Sequence, residues 1–501
     1  QFMQQQVPFP EPTRQSSAAI LFILGNVLRM LVRQLWVLIL VVFFNPKKQV
    51  FGGFTWLFIG MALLGALISV ISYFNFYFYI KDGELVLEKG VLRKTKINVP
   101  LDRIQTINFK QGILHQTLNV VAVEIDTAGS AGQEFSLQAI RKEQAEALRS
   151  YVEANNSKAT VLETGDDEGH AAPKATTEGL LLFRLKPADL LKIGLSQNHL
   201  RTAGIIMAFT YGFIDDVANA LDIQLEKELE KVPGMATDDH YAFLFLWGVV
   251  FFLVLSVLLS LLNTVLRYFD LRVFKTLNGL KMVSGLFTRH EVSASFPKIQ
   301  FMRWSDNPLR RYFKMVHLRL PQAASVAMGR KTTFSVPGCY QDQLATVQKI
   351  CFPDEEGRKY TPHGIHRRII WRQVWLQAIG PVAVLLYLTW GMPGHWLWLL
   401  WLPIGMWLAV RFHKNWQWQI SEEALRAEWG VVTRRGVLLE LFKVQGVTLH
   451  ENWFLRRRNL AHIELHTAAG SVRIPYLPKE KATRLCDWVL YKVESSSREW
   501  M

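Results

Sequence analysis

Cysteine is nearly absent from this 501-residue chain, which holds only Cys339, Cys351 and Cys486. Their odd number and wide spacing exclude a disulfide scaffold and a cysteine-built metal site, and they suit a reducing compartment. Charge is also scarce: 20% of residues are charged, with 42 acids against 57 lysines and arginines, a formal net charge of +15. Half of the chain is hydrophobic, so disorder of the chain as a whole is excluded. Catalytic motifs are missing as well. The sequence contains no nucleophile elbow, no dinucleotide loop and no paired carboxylates in its apolar runs. Gly329-Arg330-Lys331-Thr332 imitates the end of a phosphate-binding loop, but no glycine stands five positions earlier, and a hairpin turn is expected instead. His462 and His466 flank Glu464 at alternate positions. On a strand they lie about 13 Å apart at roughly 3.3 Å per residue, too far for one metal ion. A solvated strand face is the expectation there. No metal, cofactor or catalytic residue is expected, and the chain reads as non-enzymatic.

What is abundant is apolar sequence flanked by tryptophan, of which there are 17. Six apolar runs fall into three pairs: Val27–Phe44 with Phe54–Ile71, His199–Ile214 with Tyr241–Leu266, and Val374–Trp390 with Trp396–Val410. A membrane-spanning helix needs about 20 apolar residues, range 17–25. Phe54–Ile71 and Tyr241–Leu266 reach that length unaided, and the other four are read as spans because each has a partner. Trp396, Trp398, Trp401, Trp407, Trp416 and Trp418 crowd the third pair as interfacial tryptophans do. Ala18–Leu28 is apolar, but few charges precede it and the apolar character runs on too far for a secretory signal, so an interfacial helix is expected. Gly380-Pro381 and Pro403 are read as structural kinks. Arg184, Lys186 and Lys192 precede the second pair, and Arg367, Arg368 and Arg372 the third. The loop 215–240 is strongly acidic. By the positive-inside rule the basic stretches face the cytoplasm, although Lys47 and Lys48 run against it. Both termini and all large polar segments are thus expected inside, in a multi-pass bacterial cytoplasmic (inner) membrane protein.

After each pair of runs the sequence repeats itself. The copies read GVLRKTKINVPLDRIQ from Gly90, GLFTRHEVSASFPKIQ from Gly285 and GVVTRRGVLLELFKVQ from Gly430. Each ends in a basic-aliphatic-Gln triplet: Arg103-Ile104-Gln105, Lys298-Ile299-Gln300 and Lys443-Val444-Gln445. Further on, Ala128, Ala323 and Ala468 stand in register. Alternation at Val121/Val123/Ile125, Leu318/Leu320 and Ile463/Leu465 has the period of two of half-buried strands. Each repeat glycine is placed where a strand turns back, a position that favours φ > 0. An amphipathic helix closes each copy, at Arg141–Val152, Tyr340–Ile350 and Lys479–Val493. Asp306-Asn307-Pro308-Leu309 replaces Gln111-Gly112-Ile113-Leu114, and its proline, lacking a backbone donor, predicts different local pairing.

This pattern, strands with one C-terminal helix joined to apolar pairs, resembles the bacterial pleckstrin-homology-like (bacterial PH, DUF304-type) domains of YdbT-like membrane proteins. The resemblance implies a membrane protein of α-helical spans and mainly-β domains. In it, a transmembrane helix pair followed by a PH-like β-barrel or sandwich with a C-terminal helix occurs three times. Residues 1–26 are then an N-terminal tail and lead-in helix, and 27–72 the first transmembrane pair. Residues 73–152 form PH-like domain 1, 153–180 a flexible linker, and 181–266 a lead-in helix with pair 2. Residues 267–352 form PH-like domain 2, 353–410 a linker with pair 3, and 411–496 PH-like domain 3. No reaction comes with the resemblance.

The basic residues following each repeat glycine are the remaining functional candidates: Arg93, Lys94 and Lys96, then Arg289, then Arg434 and Arg435. They suit an anionic lipid headgroup or an acidic partner, each cation near an anionic membrane contributing about 1 kcal/mol. The expected partners are membrane lipids and a protein in the same membrane. Nucleic acid is not expected, since the charge is spread over tethered units. The reading is a non-enzymatic scaffold or binding protein serving cell-envelope maintenance. The alternative is a lipid or small-molecule transporter using the six spans.

Overall fold

The computed structural model describes the chain except for residues 1–7, 28, 31–50, 91–93, 128–134, 164–178, 222–237, 324–332, 354–361, 392, 497 and 499–501. The Val27–Phe44 run lies almost wholly outside the described residues, as do Arg93, Ala128, most of the acidic loop and Gly329–Thr332.

The first copy contributes strands β1 (Tyr77–Lys81), β2 (Glu84–Lys89), β3 (Thr95–Pro100), β4 (Ile104–Gln111), β5 (Val120–Thr127) and β6 (Phe135–Arg141). The second contributes β7 (Leu180–Arg184), β8 (Arg272–Thr276), β9 (Gly279–Ser284), β10 (Arg289–Ser295), β11 (Phe301–Asp306), β12 (Met315–Leu320) and β13 (Phe334–Tyr340). The third contributes β14 (His363–Gly364), β15 (Gln417–Ile420), β16 (Ala424–Trp429), β17 (Arg434–Glu440), β18 (Gly446–His450), β19 (Leu460–Thr467) and β20 (Gly470–Pro478). By compactness the chain divides into two units: Gln1–Thr176, Lys186–Leu271 and Val283–Glu291 form one, and Thr177–Leu185, Arg272–Met282 and Val292–Met501 the other.

In the first unit, β1–β3 are an antiparallel meander and β4–β6 another. Period-two alternation turns Phe78, Leu85, Leu87, Ile104, Ile125 and Leu137 into one shared core, each large side chain worth about 1.5–3 kcal/mol of burial. The edge of β4 pairs with the start of β10, Gln111 opposite Arg289 and Lys110 opposite His290. Helices Pro187–Leu195 and Asp238–Tyr268 approach closely at Gly194, where a Cβ would lie 2.6 Å from Leu261 Cδ2.

In the second unit a sheet runs in the order β13-β12-β11-β17-β16-β15-β14. Here β11 of the second copy pairs with β17 of the third over six residue pairs, from Phe301–Leu439 to Asp306–Arg434. Phe301 accordingly joins a core with Leu425, Val437, Ile463, Ile474 and Val489.

The expected barrel is therefore corrected. No described sheet closes on itself, because β4 and β11 spend their free edges on β10 and β17 of the next copy, not on β3 and β10 of their own. The expectation of six spans in three pairs is corrected too. Among the described residues two helices are long and apolar enough to cross a membrane, Leu246–Tyr268 and Ile369–Leu388. Trp396–Val410 fails because it breaks into a 3₁₀ turn, His395–Leu400, and a 14-residue helix, Trp401–Lys414. Such a helix is about 21 Å long at 1.5 Å per residue, short of the roughly 30 Å hydrocarbon core. Helix His199–Leu221 carries Arg201 near its start and Asp215-Asp216 near its end. Helix Phe51–Phe74 covers the Phe54–Ile71 run, and its stretch Leu63–Phe74 is apolar. The Leu246–Tyr268 helix turns Leu246, Phe251, Val254 and Leu258 outward, as a lipid-facing helix does. Ahead of Pro381 lies a π-helical turn, Trp375–Ile379, which absorbs the missing backbone donor.

The repeat glycines behave as expected. Gly90, Gly285 and Gly430 have φ of 119°, 119° and 111°. A Cβ at Gly285 or Gly430 would meet the Thr288 or Thr433 carbonyl oxygen at 2.0 Å. The triplets prove structural: Ile104, Ile299 and Val444 are buried, and so are Lys298 and Lys443. Pro308 occupies the first position of a short helix, Pro308–Tyr312, capped by Asn307, whose side chain accepts from Arg310 N at 2.8 Å. A backbone donor is dispensable there, so the different pairing expected from this proline does not arise. Asn452 caps helix Trp453–Arg456 of the third copy in the same way.

Candidate functional site

Strand register in the second unit gathers cationic side chains on one sheet face. Residues directly opposite on antiparallel strands point to the same side. Arg319 of β12 faces Arg303 of β11, and His317 faces Ser305. Ser305 in turn faces Arg435 of β17, and Arg435 faces Trp429 of β16. One row across four strands thus reads His317, Ser305, Arg435, Trp429. Helix Ile369–Val374 brings Arg372, and β20 brings Arg473. These residues line a cavity of about 630 Å³ holding five arginines and no Asp or Glu. Trp416 and Trp429, stacked at 6.0 Å, form part of its wall.

The electrostatics match that lining. Arg303 Nε is buried with no hydrogen-bond partner among the described residues. Burial first, then Arg319 and Arg435, hold this guanidinium below its ordinary value. Burial, with Arg310 and Arg319 nearby, pushes His317 down to about 3, so the imidazole is neutral. Its Nε2 accepts from Ser335 Oγ at 2.8 Å and from Arg319 Nε at 3.4 Å. His317 sits at a β-bulge between Val316 and Leu318, and matching bulges fall at Ala122 and His462 in the other copies. A bulge re-aims its side chain. This also corrects the solvated reading of the His462 face. His462 is buried, its Nδ1 accepts from Tyr476 N at 2.8 Å, and burial foremost lowers it to about 4. Glu464 instead accepts from the Ser471 hydroxyl and pairs with His450 at 3.2 Å.

A second cavity, about 760 Å³, adjoins the first. Its lining is largely apolar, with Pro381 and Leu385 from one helix and Trp398, Trp401 and Leu408 from the next segment. Trp401 Nε1 donates to the Gln377 carbonyl at 2.8 Å. Phe412, Trp429, Thr433 and Arg435 line both cavities.

Of the six candidate binding residues named from the sequence, Arg435 alone lines these cavities among those described. Arg434 is exposed, and its backbone N donates to Asp306 at 3.2 Å. Lys94 is exposed; Lys96 pairs with Glu88 at 3.2 Å and with the Tyr79 hydroxyl at 3.3 Å. The Tyr79 hydroxyl foremost raises Lys96 and lowers Glu88. Arg289 is exposed at the start of β10. Arg303, Arg319, Arg473 and His317 were not anticipated, and Arg372 was marked only as a positive-inside residue. Their signal was basic residues at alternate strand positions, His317/Arg319 in particular. Among the described residues no group of three His, Cys, Asp or Glu side chains is placed to hold a metal ion.

Copies of strand meanders with a C-terminal helix, joined to apolar helices, define a multi-copy PH-like membrane-associated protein. A family model described as "Bacterial PH domain" matches residues 19–156, 228–353 and 373–493, and the chain belongs to that family. It is 22% identical over 454 residues to the "UPF0699 transmembrane protein YdbT" of Bacillus subtilis (strain 168), covering 87% of this chain and 90% of that protein. It is also 29% identical over 132 residues to "UPF0699 transmembrane protein YdbS" of the same organism, covering 24% of this chain and 80% of that protein. The protein is thus a YdbT/YdbS-like member carrying three PH-like repeats.

Proposed function

We propose that this protein is a membrane-tethered binding protein of the bacterial inner membrane. It holds its PH-like copies against the cytoplasmic leaflet and takes the anionic headgroup of a membrane lipid into the arginine cavity. The reading rests on one observation: Arg303 and Arg319 stand directly opposite each other in a cavity without acids. Like charges so placed are destabilising unless a counter-charge joins them. The location supports a lipid source. Arg372 lines the same cavity and sits in the first turns of the apolar Ile369–Leu388 helix, with Arg367 and Arg368 just before it, as positive-inside sequence requires. Through such binding the protein serves envelope upkeep beside a partner in the same membrane.

The test uses the full chain, delipidated in mild detergent and titrated with phosphatidylglycerol or phosphatidylcholine under native mass spectrometry. Phosphatidylglycerol is expected to be retained selectively, to be lost on Arg303→Gln with Arg319→Gln, and to be unaffected by Lys94→Ala with Lys96→Ala. Equal retention of both lipids would refute the reading.

A further inference from the structure

The arginine cavity and the apolar cavity adjoin and share lining residues, which says more about the ligand than the headgroup alone. We propose that together they form one site for a lipid ending in a phosphomonoester or pyrophosphate, its hydrocarbon chain lying along the apolar cavity. This deepens the headgroup reading above and rests on it.

The first support is geometric. Phe412, Trp429, Thr433 and Arg435 line both cavities, which places the two side by side. Arg435 stands at the junction, where the polar end of an amphiphile meets its chain. Beyond it the lining turns to Pro381, Leu385, Trp398, Trp401 and Leu408, a surface that an apolar chain covers well and a free anion does not use. The wall is held in shape by the Trp401 indole on the Gln377 carbonyl.

The second support is the amount of charge. Five guanidinium groups share about 630 Å³, and the cavity has no acid and no lysine. A phosphodiester brings one negative charge, whereas a phosphomonoester carries about −1.5 to −2 at pH 7. The planar guanidinium fork suits phosphate oxygens bidentately, and a lining whose fixed cations are all arginine selects for that geometry over a point charge. Arg303 Nε, buried and unpartnered among the described residues, is a donor awaiting an acceptor.

The test compares phosphatidic acid, phosphatidylglycerol of the same chains, phosphatidylcholine and inorganic pyrophosphate on the delipidated full chain. Phosphatidic acid is expected to bind roughly fivefold to tenfold tighter than phosphatidylglycerol. Leu385→Trp, which fills the apolar cavity, should weaken phosphatidic acid about tenfold and leave pyrophosphate unchanged; Leu408→Phe is the second variant should the first not fold. Arg303→Gln with Arg319→Gln should weaken both lipids and pyrophosphate. Equal affinity for the two anionic lipids, both abolished by the arginine pair, would overturn this inference while sparing the headgroup reading. So would phosphatidic acid binding indifferent to both cavity-filling variants, or pyrophosphate binding as tightly as phosphatidic acid. Failure to distinguish either anionic lipid from phosphatidylcholine would remove the headgroup reading as well.

Discussion

Arg303 and Arg319 face one another directly across the β11–β12 ladder, and Arg303 also faces Val437 on its other side. The ladder holds two cations in register without an acid among the residues lining their cavity. Such an arrangement works against folding and is stable only because the surrounding core sets the register.

Relieving that repulsion should separate stability from binding. Arg319→Gln is expected to stabilise the lipid-free protein by about 0.2–1 kcal/mol, the scale of a cross-strand pair, while weakening anionic lipid. Urea unfolding in detergent reads the first effect and lipid titration the second. A variant that loses both would show that Arg319 serves the fold.

Lys443 makes a different use of charge. Its Nζ lies 2.7 Å from Glu440 Oε2 and donates to the Ile299 carbonyl at 2.7 Å, so the third copy's triplet is fastened to the second copy's. Both charged residues are buried. Lys443→Met should destabilise by about 3–5 kcal/mol because it strands a buried carboxylate. Adding Glu440→Leu should recover much of the loss. A single variant as stable as the parent in denaturant would contradict the brace.

Gly430→Ala should be poorly tolerated. Its φ of 111° and the 2.0 Å approach to the Thr433 carbonyl oxygen leave no room for a Cβ, and forcing such a backbone costs on the order of 1–3 kcal/mol. Because Thr433 and Arg435 follow on the same turn, lipid retention should fall as well. Normal melting together with normal lipid retention would count against the turn's role.

Acid should weaken the protein through His317. Burial foremost depresses its folded value to about 3 from the ordinary imidazole value of about 6.5, so the unfolded chain binds the proton first. The contribution is whole above about pH 6.5 and is lost as pH falls toward 3, by at most about 1.4 kcal/mol per pH unit. His317→Gln should flatten the stability profile over that window. An unchanged profile would show that the imidazole is not held neutral.

Much of the local structure was legible beforehand. Gly90, Gly285 and Gly430 announced their turns because a positive φ is a demand on one residue, and the buried alternation of Val121, Val123 and Ile125 followed from the period of the strand. All the apolar runs were legible as apolar, but among the described residues only Tyr241–Leu266 and Val374–Trp390 coincide with helices long enough to cross a membrane. Hydropathy does not show that His395–Leu400 winds as a 3₁₀ turn and shortens the helix after it. His462 was misplaced because a bulge, which depends on the partner strand, turned it inward.

By itself the sequence determined the threefold repeat, the strand alternation, the turn glycines and the membrane character, all of which are set by neighbours along the chain. Only the tertiary structure decided that β11 joins β17 and β4 joins β10, since edge strands offer identical backbone groups to any partner and long-range register settles the choice. That decision made the candidate site. Arg303, Arg319, Arg372, Arg435 and Arg473 are scattered through the chain as ordinary basic residues. They become one cavity because β11, β12, β17, β20 and a helix converge there, while Lys443, equally basic in sequence, is drawn into the core by Glu440 and the Ile299 carbonyl.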